Sequence, residues 1–228
     1  MRFLAFASIL LVITIYGCFP YHYVDYKTQY TEVDREKAKE LIKSFKDDVL
    51  IFQIPTPNKK ITLLKNAADA EEDEAKRAKL INEIGDEFEE IENYIDAVVT
   101  GAKDYYKFSK YFFLPDTTIN NLDIGSEIDK VLDSNMHWIP YEFTISESTL
   151  VIQPYKQIDR LIIGNIDNKL PNQPFPYTTG GMSDKVFKIF LTNIFEREYL
   201  NKSDDFHRIR SSISAADRRL NSFYNKSI

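Results

Sequence analysis

The chain has 228 residues, with 29 lysines and arginines against 35 aspartates and glutamates, so its formal net charge is -6. This acidic balance, without a block of basic residues, argues against nucleic acid or anionic lipid as the main partner. The single cysteine excludes an intramolecular disulfide, so stability must come from burial, for which 43% hydrophobic and 14% aromatic residues are ample.

The only cysteine, Cys18, follows a short apolar segment at the start of the chain. The run after Arg2 is uncharged as far as Gly17, which is shorter than the roughly 20 residues of a membrane-spanning helix. Its length fits the apolar region of a secretory signal. The end of the run, with Ile15, Gly17 and then Cys18, resembles the lipobox of bacterial lipoproteins. The resemblance implies a signal peptide over residues 1–17 and lipidation of Cys18.

The same resemblance implies a location and a membrane partner. An acyl chain such as palmitate on Cys18 would anchor the protein in the cell envelope through its N-terminal lipid. Phe19 in the second mature position favours the outer membrane, facing the periplasm. Residues 18–33 are predicted to be a lipidated tether and residues 34–228 a single α/β domain. An ordinary signal peptide cut elsewhere and an uncleaved anchor are the alternatives.

The first half of the predicted domain alternates helix and strand. Residues 34–47 predict an amphipathic helix after Thr31 and Asp34, a potential capping pair, and residues 49–55 predict a buried strand. A long helix follows, because apolar residues step by four, four, three, four and three at Leu80, Ile84, Phe88, Ile91, Ile95 and Val98. We expect the stripe from Leu80 to Ile95 to be buried against a sheet, and the acidic residues beside it to be solvated.

The second half of the chain contains shorter predicted elements. Residues 105–115, YYKFSKYFFLP, indicate a strand, and Ile124, Ile128, Val131 and Leu132 indicate a short helix. Further strands are predicted over 141–146, 149–154 and 161–167, and further helices over 186–200 and from Ser203 onward. The last helix has an apolar stripe formed by Phe206, Ile209, Ile213, Leu220 and Phe223.

This element order predicts the α/β class, with a mixed sheet flanked by helices on both faces and an extra C-terminal helix. The order resembles the thioredoxin fold, and Pro140 in WIPYEF precedes a predicted central strand, where that fold has its cis-proline. The redox motif of that family needs two cysteines, and the corresponding loop here is PTPNKK. Thiol chemistry is therefore excluded.

Three segments between residues 106 and 226 support a second resemblance. YKFSKYFFLPD, KLPNQPFPYTT and RRLNSFYNK are similar to recurring elements of an uncharacterised family of exported proteins from Bacteroidota. The similarity covers about half of the chain, and its motifs are aromatic and structural. It implies an exported protein and brings no catalytic residues.

No catalytic motif is evident in the sequence. The three histidines, His22, His137 and His207, have no metal-ligand spacing, and no cysteine ligands accompany them. The Gly-x-Ser-x-Gly pattern of serine hydrolases is also absent. The sequence therefore predicts neither a metal nor another cofactor.

Two adjacent loops contain the candidate ligand-binding residues. A plain turn with Ser183 as helix cap is the favoured explanation of Gly180, Gly181 and Ser183, and the alternative is that they present backbone N–H groups to an anion. Phe175 and Tyr177 lie beside prolines and could form an aromatic platform for a peptide or sugar. Alternatively, these rings close the end of the core.

These observations favour a binding protein over an enzyme. We expect a lipid-anchored envelope protein that acts as a non-catalytic binding or assembly module for another envelope protein or a glycan. The alternative is a small-ligand carrier or enzyme with a cleft at the carboxyl ends of the strands, where open α/β sheets usually bind ligands.

Overall fold

The computed structural model describes residues 31–56, 59–155, 157–166, 171, 175–176 and 204–228. Its helices are α1 (Glu32–Asp47), α2 (Lys59–Ala70), α3 (Glu74–Tyr105), α4 (Asp116–Ile119) and α5 (Asp204–Asn225). Its strands are β1 (Val49–Ile54), β2 (Lys110–Pro115), β3 (Glu127–Leu132), β4 (Trp138–Thr144), β5 (Leu150–Tyr155) and β6 (Gln157–Asn165). The predicted signal peptide, most of the predicted tether and the predicted helix over 186–200 lie outside the described residues.

The six strands form one mixed sheet in the order β4-β3-β2-β1-β5-β6. The central strand β1 is parallel to both neighbours, so that Ile51 pairs with Phe112 of β2 and with Val151 of β5. The pairs β2–β3, β3–β4 and β5–β6 are antiparallel. The predicted α/β class, with a mixed sheet flanked by helices and a C-terminal helix, is confirmed.

Helix α1 begins with the predicted capping pair. The Thr31 hydroxyl accepts a hydrogen bond from the Asp34 backbone N–H at 3.2 Å, and the Asp34 carboxylate accepts one from the Thr31 N–H at 3.2 Å. This reciprocal pair is a capping box, which satisfies two backbone donors that the first helical turn leaves open. The hydrogen bonds from Thr31 lower the pKa of Asp34.

The larger core cluster lies on one face of the sheet. Helices α1 and α5 and the second half of α3 cover this face, on which the sheet places Leu50, Phe52, Phe113, Leu150, Ile152, Leu161 and Ile163. The predicted stripe of the last helix is confirmed, since Phe206, Ile209, Ile213 and Leu220 are buried there and Phe223 packs against the cluster. Strand residues that alternate with these point to the opposite face.

A second cluster lies on that opposite face, around Val49, Ile51, Leu114 and Val151. Among the described elements, the β3–β4 hairpin and α4 contribute to it through Ile128, Val131, Ile139, Tyr141, Phe143 and Ile119. The Tyr141 and Phe112 rings have centroids 4.3 Å apart. The hairpin pairs with β2 at Phe113, opposite Leu132, and its side chains pack against this face.

The predicted helix over residues 124–132 is wrong, because residues 127–132 form strand β3. A register shift between Ile128 and Lys130 breaks the alternation of the strand. The apolar residues on both sides of this irregularity, Ile128 and Val131, are therefore three positions apart instead of two. A spacing of three is also helical, which explains the wrong prediction.

The position of Pro140 also differs from the thioredoxin-like expectation. Pro140 lies inside β4, opposite Lys130, and β4 is an edge strand of the sheet rather than a central one. Proline has no backbone N–H to donate, so within sheets it is tolerated mainly at edges. The proline in WIPYEF therefore has an edge-strand explanation and does not mark the site that the thioredoxin fold places there.

The predicted burial of the long apolar stripe is wrong for its first part. Helix α3 is present, but Leu80, Ile84, Phe88 and Ile91 are only half-buried, and none of them belongs to either core cluster. The predicted stripe reaches the core only at Ile95, which packs against the first cluster, and at Val98, which is buried in it. The region before α3 also contains helix α2, which the sequence pattern does not predict.

Candidate functional site

Of the predicted ligand-binding residues, only Phe175 lies within the described part of the chain. It is 2% exposed and belongs to the first core cluster, where its ring packs against that of Phe223 with centroids 6.1 Å apart. This is the placement expected if the ring closes the end of the core. Tyr177, Gly180, Gly181, Ser183 and the predicted lipidation residue Cys18 lie outside the described residues.

The two described histidines lie in different environments. His137 is exposed in the β3–β4 turn, where its backbone N–H donates a hydrogen bond to the Asp133 carboxylate at 2.9 Å. This hydrogen bond is the largest of the causes that lower the pKa of Asp133. His207 is buried on α5 beside the ring of Phe206, with centroids 5.6 Å apart. Among the described residues, no cluster of histidine, cysteine or acidic side chains has the arrangement of a metal site.

The carboxyl ends of β1 and β2 meet at Thr56 and Asp116. One oxygen of the Asp116 carboxylate accepts hydrogen bonds from the Thr56 backbone N–H at 3.1 Å, the Thr56 hydroxyl at 2.5 Å and the Thr117 N–H at 2.7 Å. This is the edge where a ligand cleft would be expected in an open α/β sheet. The observed bonds, however, join the ends of the two strands to each other.

A second polar cluster lies at the opposite edge, before β1 and β5. Asp48 accepts hydrogen bonds from the hydroxyls of Ser146 and Ser148, both at 2.5 Å, and from the Val49 backbone N–H at 2.7 Å. The Thr149 hydroxyl is 3.3 Å from the same carboxylate and accepts the Ser146 N–H at 2.9 Å. The cluster therefore connects the start of β1 to the β4–β5 loop.

The hydrogen bonds of this cluster differ from those of a serine nucleophile. A serine nucleophile needs a general base such as histidine, and that base needs a third group to orient it. The hydrogen bonds described for Ser146 and Ser148 go to Asp48, to each other and to nearby loop atoms, with no histidine or lysine among them. Ser, Thr and Asp near the start of a strand are typical of such local turns, so the sequence SEST, residues 146–149, indicates a hydrogen-bonded turn before β5.

The contact between α3 and α5 is close and includes a buried ion pair. The Arg210 guanidinium is buried and lies 2.6 Å from the Asp104 carboxylate, with the Tyr105 ring centroid 5.1 Å from its central carbon. A Cβ atom at Gly101 would lie 2.8 Å from the Ile213 side chain and 3.2 Å from the Arg210 backbone. Gly101 therefore allows the two helices to approach.

Residues 59–93 form a structure that we call the hairpin arm, made of α2, a three-residue link and the first part of α3. The short link makes the two helices antiparallel neighbours, and they contact each other extensively. Asp73 caps α3 by accepting hydrogen bonds from the N–H groups of Ala75 and Lys76 at 2.9 and 3.2 Å. No residue of the arm belongs to either core cluster.

The hairpin arm is strongly acidic. It contains six basic and eleven acidic side chains, a net charge of -5 against -6 for the whole chain. Between Lys79 and Lys103 the sequence has seven acidic residues and no basic residue. A hydrogen bond from Lys60 to Glu87, with the nearby charges of Glu87, Glu90 and Glu83, raises the pKa of Lys60. These three glutamates therefore face the same lysine.

The arm also exposes large apolar side chains. Leu63 on α2 is 66% exposed and Ile81 on α3 is 52% exposed. Leu63 lies seven residues before the end of α2 and Ile81 seven residues after the start of α3, so the two lie at about the same distance, roughly 10 Å, from the link. Leu80, Ile84, Phe88 and Ile91 add half-buried apolar surface along α3.

Comparison with protein-family models, with curated proteins and with solved structures found no match to this chain. Among the described helices, none has both the length and the apolar character needed to cross a membrane.

Proposed function

We propose that this chain is a lipid-anchored protein of the cell envelope that acts as a non-catalytic binding or assembly module. Its partner is another envelope protein or a glycan. The observation that carries the binding function is the hairpin arm, which presents exposed apolar side chains outside both core clusters. Exposed apolar surface with a polar surround is typical of interaction sites, because burying it against a partner removes it from water.

The polar clusters of the described fold support binding rather than catalysis. Asp116 joins two strand ends and Asp48 joins a strand to a loop through hydroxyl groups. These carboxylates contribute to the fold, since each accepts several hydrogen bonds from neighbouring parts of the chain.

The anchor is proposed from the lipobox-like sequence that ends at Cys18. Several acyl chains on one cysteine bind a membrane firmly, since each buried methylene contributes roughly 0.8 kcal/mol. Wild-type protein should therefore stay in the membrane pellet through a high-salt wash. Metabolic labelling with a fatty acid, followed by intact mass measurement, should give a labelled wild type and an unlabelled Cys18→Ala variant. An unlabelled wild type with a mature N-terminus other than Cys18 would end the lipoprotein proposal.

The binding function is tested separately, by photo-crosslinking in cells. A benzophenone amino acid is placed at Leu63 or Ile81 on the hairpin arm, and at Ile124 or Trp138 as matched controls. The control side chains are 45% and 49% exposed and lie elsewhere on the molecule. We expect light-dependent crosslinks to another envelope component from the two arm positions. Equal yields at all four positions, or none at any, would contradict the proposal.

A second function, the small-ligand carrier or enzyme, is favoured by the position of Asp116 at the carboxyl ends of parallel strands. It predicts that Asp116→Asn, which keeps the size of the side chain, abolishes ligand binding or turnover, whereas substitutions at Leu63 and Ile81 leave them unchanged. The binding function predicts instead that substitutions at Leu63 and Ile81 abolish binding of the envelope partner, whereas Asp116→Asn leaves it unchanged.

A further inference from the structure

The two helices of the hairpin arm are stabilised mainly by each other. Helix α2 makes extensive contacts with α3 and with no other element that the structure describes. Its described buried side chains, Ile61 and Ala68, belong to neither core cluster. Residues 74–93 of α3 have no buried side chain. The stability of the arm therefore depends on the contact between α2 and the first part of α3.

Neither helix of the arm has strong local reasons to be stable alone. Helix α2 has 12 residues, and isolated helices shorter than about 15 residues are only marginally stable in water. The first part of α3 has Gly85 in its interior and like charges four residues apart at Glu83 and Glu87. Both features weaken an isolated helix. We therefore expect the two helices to gain and lose their structure together.

Two contacts of charged side chains join the helices, and both are accessible to water. Lys60 on α2 forms an ion pair with Glu87 on α3, and 63% of the lysine side chain is exposed. The Lys65 ammonium lies 5.5 Å from the centre of the half-buried Phe88 ring. Exposed ion pairs and cation–π contacts contribute little to stability, because water competes for the charges.

The second part of α3 is held by stronger contacts. Among residues 94–105, Ala97 and Val98 are completely buried in the first core cluster. The buried guanidinium of Arg210 on α5 lies 2.6 Å from the Asp104 carboxylate. Unfolding of this part of α3 would therefore separate α3 from α5 and break the core.

From this division we infer that the hairpin arm is a separate unit that opens and closes while the core stays folded. In the open state α2 and residues 74–93 lose their contacts with each other, and the boundary lies between Asn93 and Tyr94. Opening exposes the half-buried apolar side chains of α3, which are Leu80, Ile84, Phe88 and Ile91. The arm therefore offers more apolar surface to a partner when it is open. Opening itself requires neither the lipid anchor nor a partner, so it can be tested on its own.

Hydrogen exchange at the two parts of α3 provides the test. The full chain in detergent micelles is exchanged in D2O at several urea concentrations below the unfolding transition. Peptides from residues 80–93 and 94–105 are then compared by mass spectrometry, after correction for intrinsic exchange rates. Both segments belong to one continuous helix, so a difference between them reports how often each one opens.

We expect the amides of residues 80–93 to exchange at least about tenfold faster than those of residues 94–105. Their exchange should also depend less on urea, because opening of the arm exposes less surface than unfolding of the whole chain. Equal rates with equal dependence on urea would show that the arm and the core unfold as one unit, and would overturn the inference.

A matched pair of substitutions on α2 provides the second comparison. Ile61→Ala removes a buried side chain of the arm and should accelerate exchange in residues 80–93 at least about tenfold, with less than about twofold change in residues 94–105. Leu63→Ala alters a side chain of the same helix that is 66% exposed, and should change both segments less than about twofold. Equal acceleration of both segments by Ile61→Ala, or acceleration of neither, would overturn the inference.

Discussion

Residues 74–93 and residues 94–105 belong to one continuous helix, α3, but they have different surroundings. The first part contacts α2 and has no buried residue. The second part contacts α5 and the sheet, and it buries Tyr94, Ala97, Val98, Gly101 and Ala102. Both parts carry apolar residues at helical spacing. The spacing therefore identifies the apolar face, and the neighbouring elements determine how much of that face is buried.

The two parts of α3 should differ most in their contribution to the free energy of unfolding, and removing one aromatic ring from each part should show this difference. Tyr94→Ala should lower the free energy of unfolding by about 3–5 kcal/mol, because it leaves a cavity in the first core cluster. Phe88→Ala should cost only about 1 kcal/mol, since its ring is half-buried beside Lys65. Urea unfolding of both variants measures the difference. Similar losses in the two variants would show that the arm shares the core.

A pH titration tests the buried part alone. Burial raises the pKa of Tyr94 above the ordinary value near 10, so the unfolded chain releases this proton at a lower pH than the folded chain. The contribution of Tyr94 to stability is complete below about pH 10 and is lost as the pH rises beyond that value. Tyr94→Phe should therefore lose less stability than the wild type between about pH 8 and pH 11. Equal losses would contradict the burial of its hydroxyl.

The smallest of these effects should come from the two glycines of α3, and they should have opposite signs. Gly101→Ala should destabilise the fold by about 1–2 kcal/mol, because the added methyl group meets Ile213 and the Arg210 backbone. Gly85→Ala should stabilise it by about 0.5–1 kcal/mol, because the new Cβ has no atom within 4 Å apart from the local backbone of its own helix, and alanine favours the helix. Thermal unfolding of the two variants gives the signs. Stabilisation by both would mean that α3 and α5 approach less closely than described.

Local patterns made much of this fold predictable. The capping pair before α1, the run VLIFQI of β1 and the stripe of α5 all predicted their elements, because each signal lies within a few residues of its effect. Helix α2 was missed because its sequence, KKITLLKNAADA, has few large apolar residues and no obvious cap. Strand β3 was mistaken for a helix because its irregular register gives a spacing of three.

The candidate binding surface could be predicted only in part. The sequence shows the acidic residues after Lys79 and the helical spacing of the apolar residues among them, but it predicted full burial for apolar residues that are only half-buried. A chain folds by burying apolar surface against whichever elements are available, and that choice depends on contacts between residues far apart in sequence.

By itself, the sequence determined the α/β class, the helical and strand character of most segments and the concentration of negative charge between residues 59 and 93. Only the tertiary structure decided that α5 and the sheet cover the second part of α3, while its first part packs against α2 outside both core clusters. The physical reason is that periodicity is a local property, whereas burial requires a partner surface. For residues 94–105 that surface comes from α5, more than a hundred residues later in the chain.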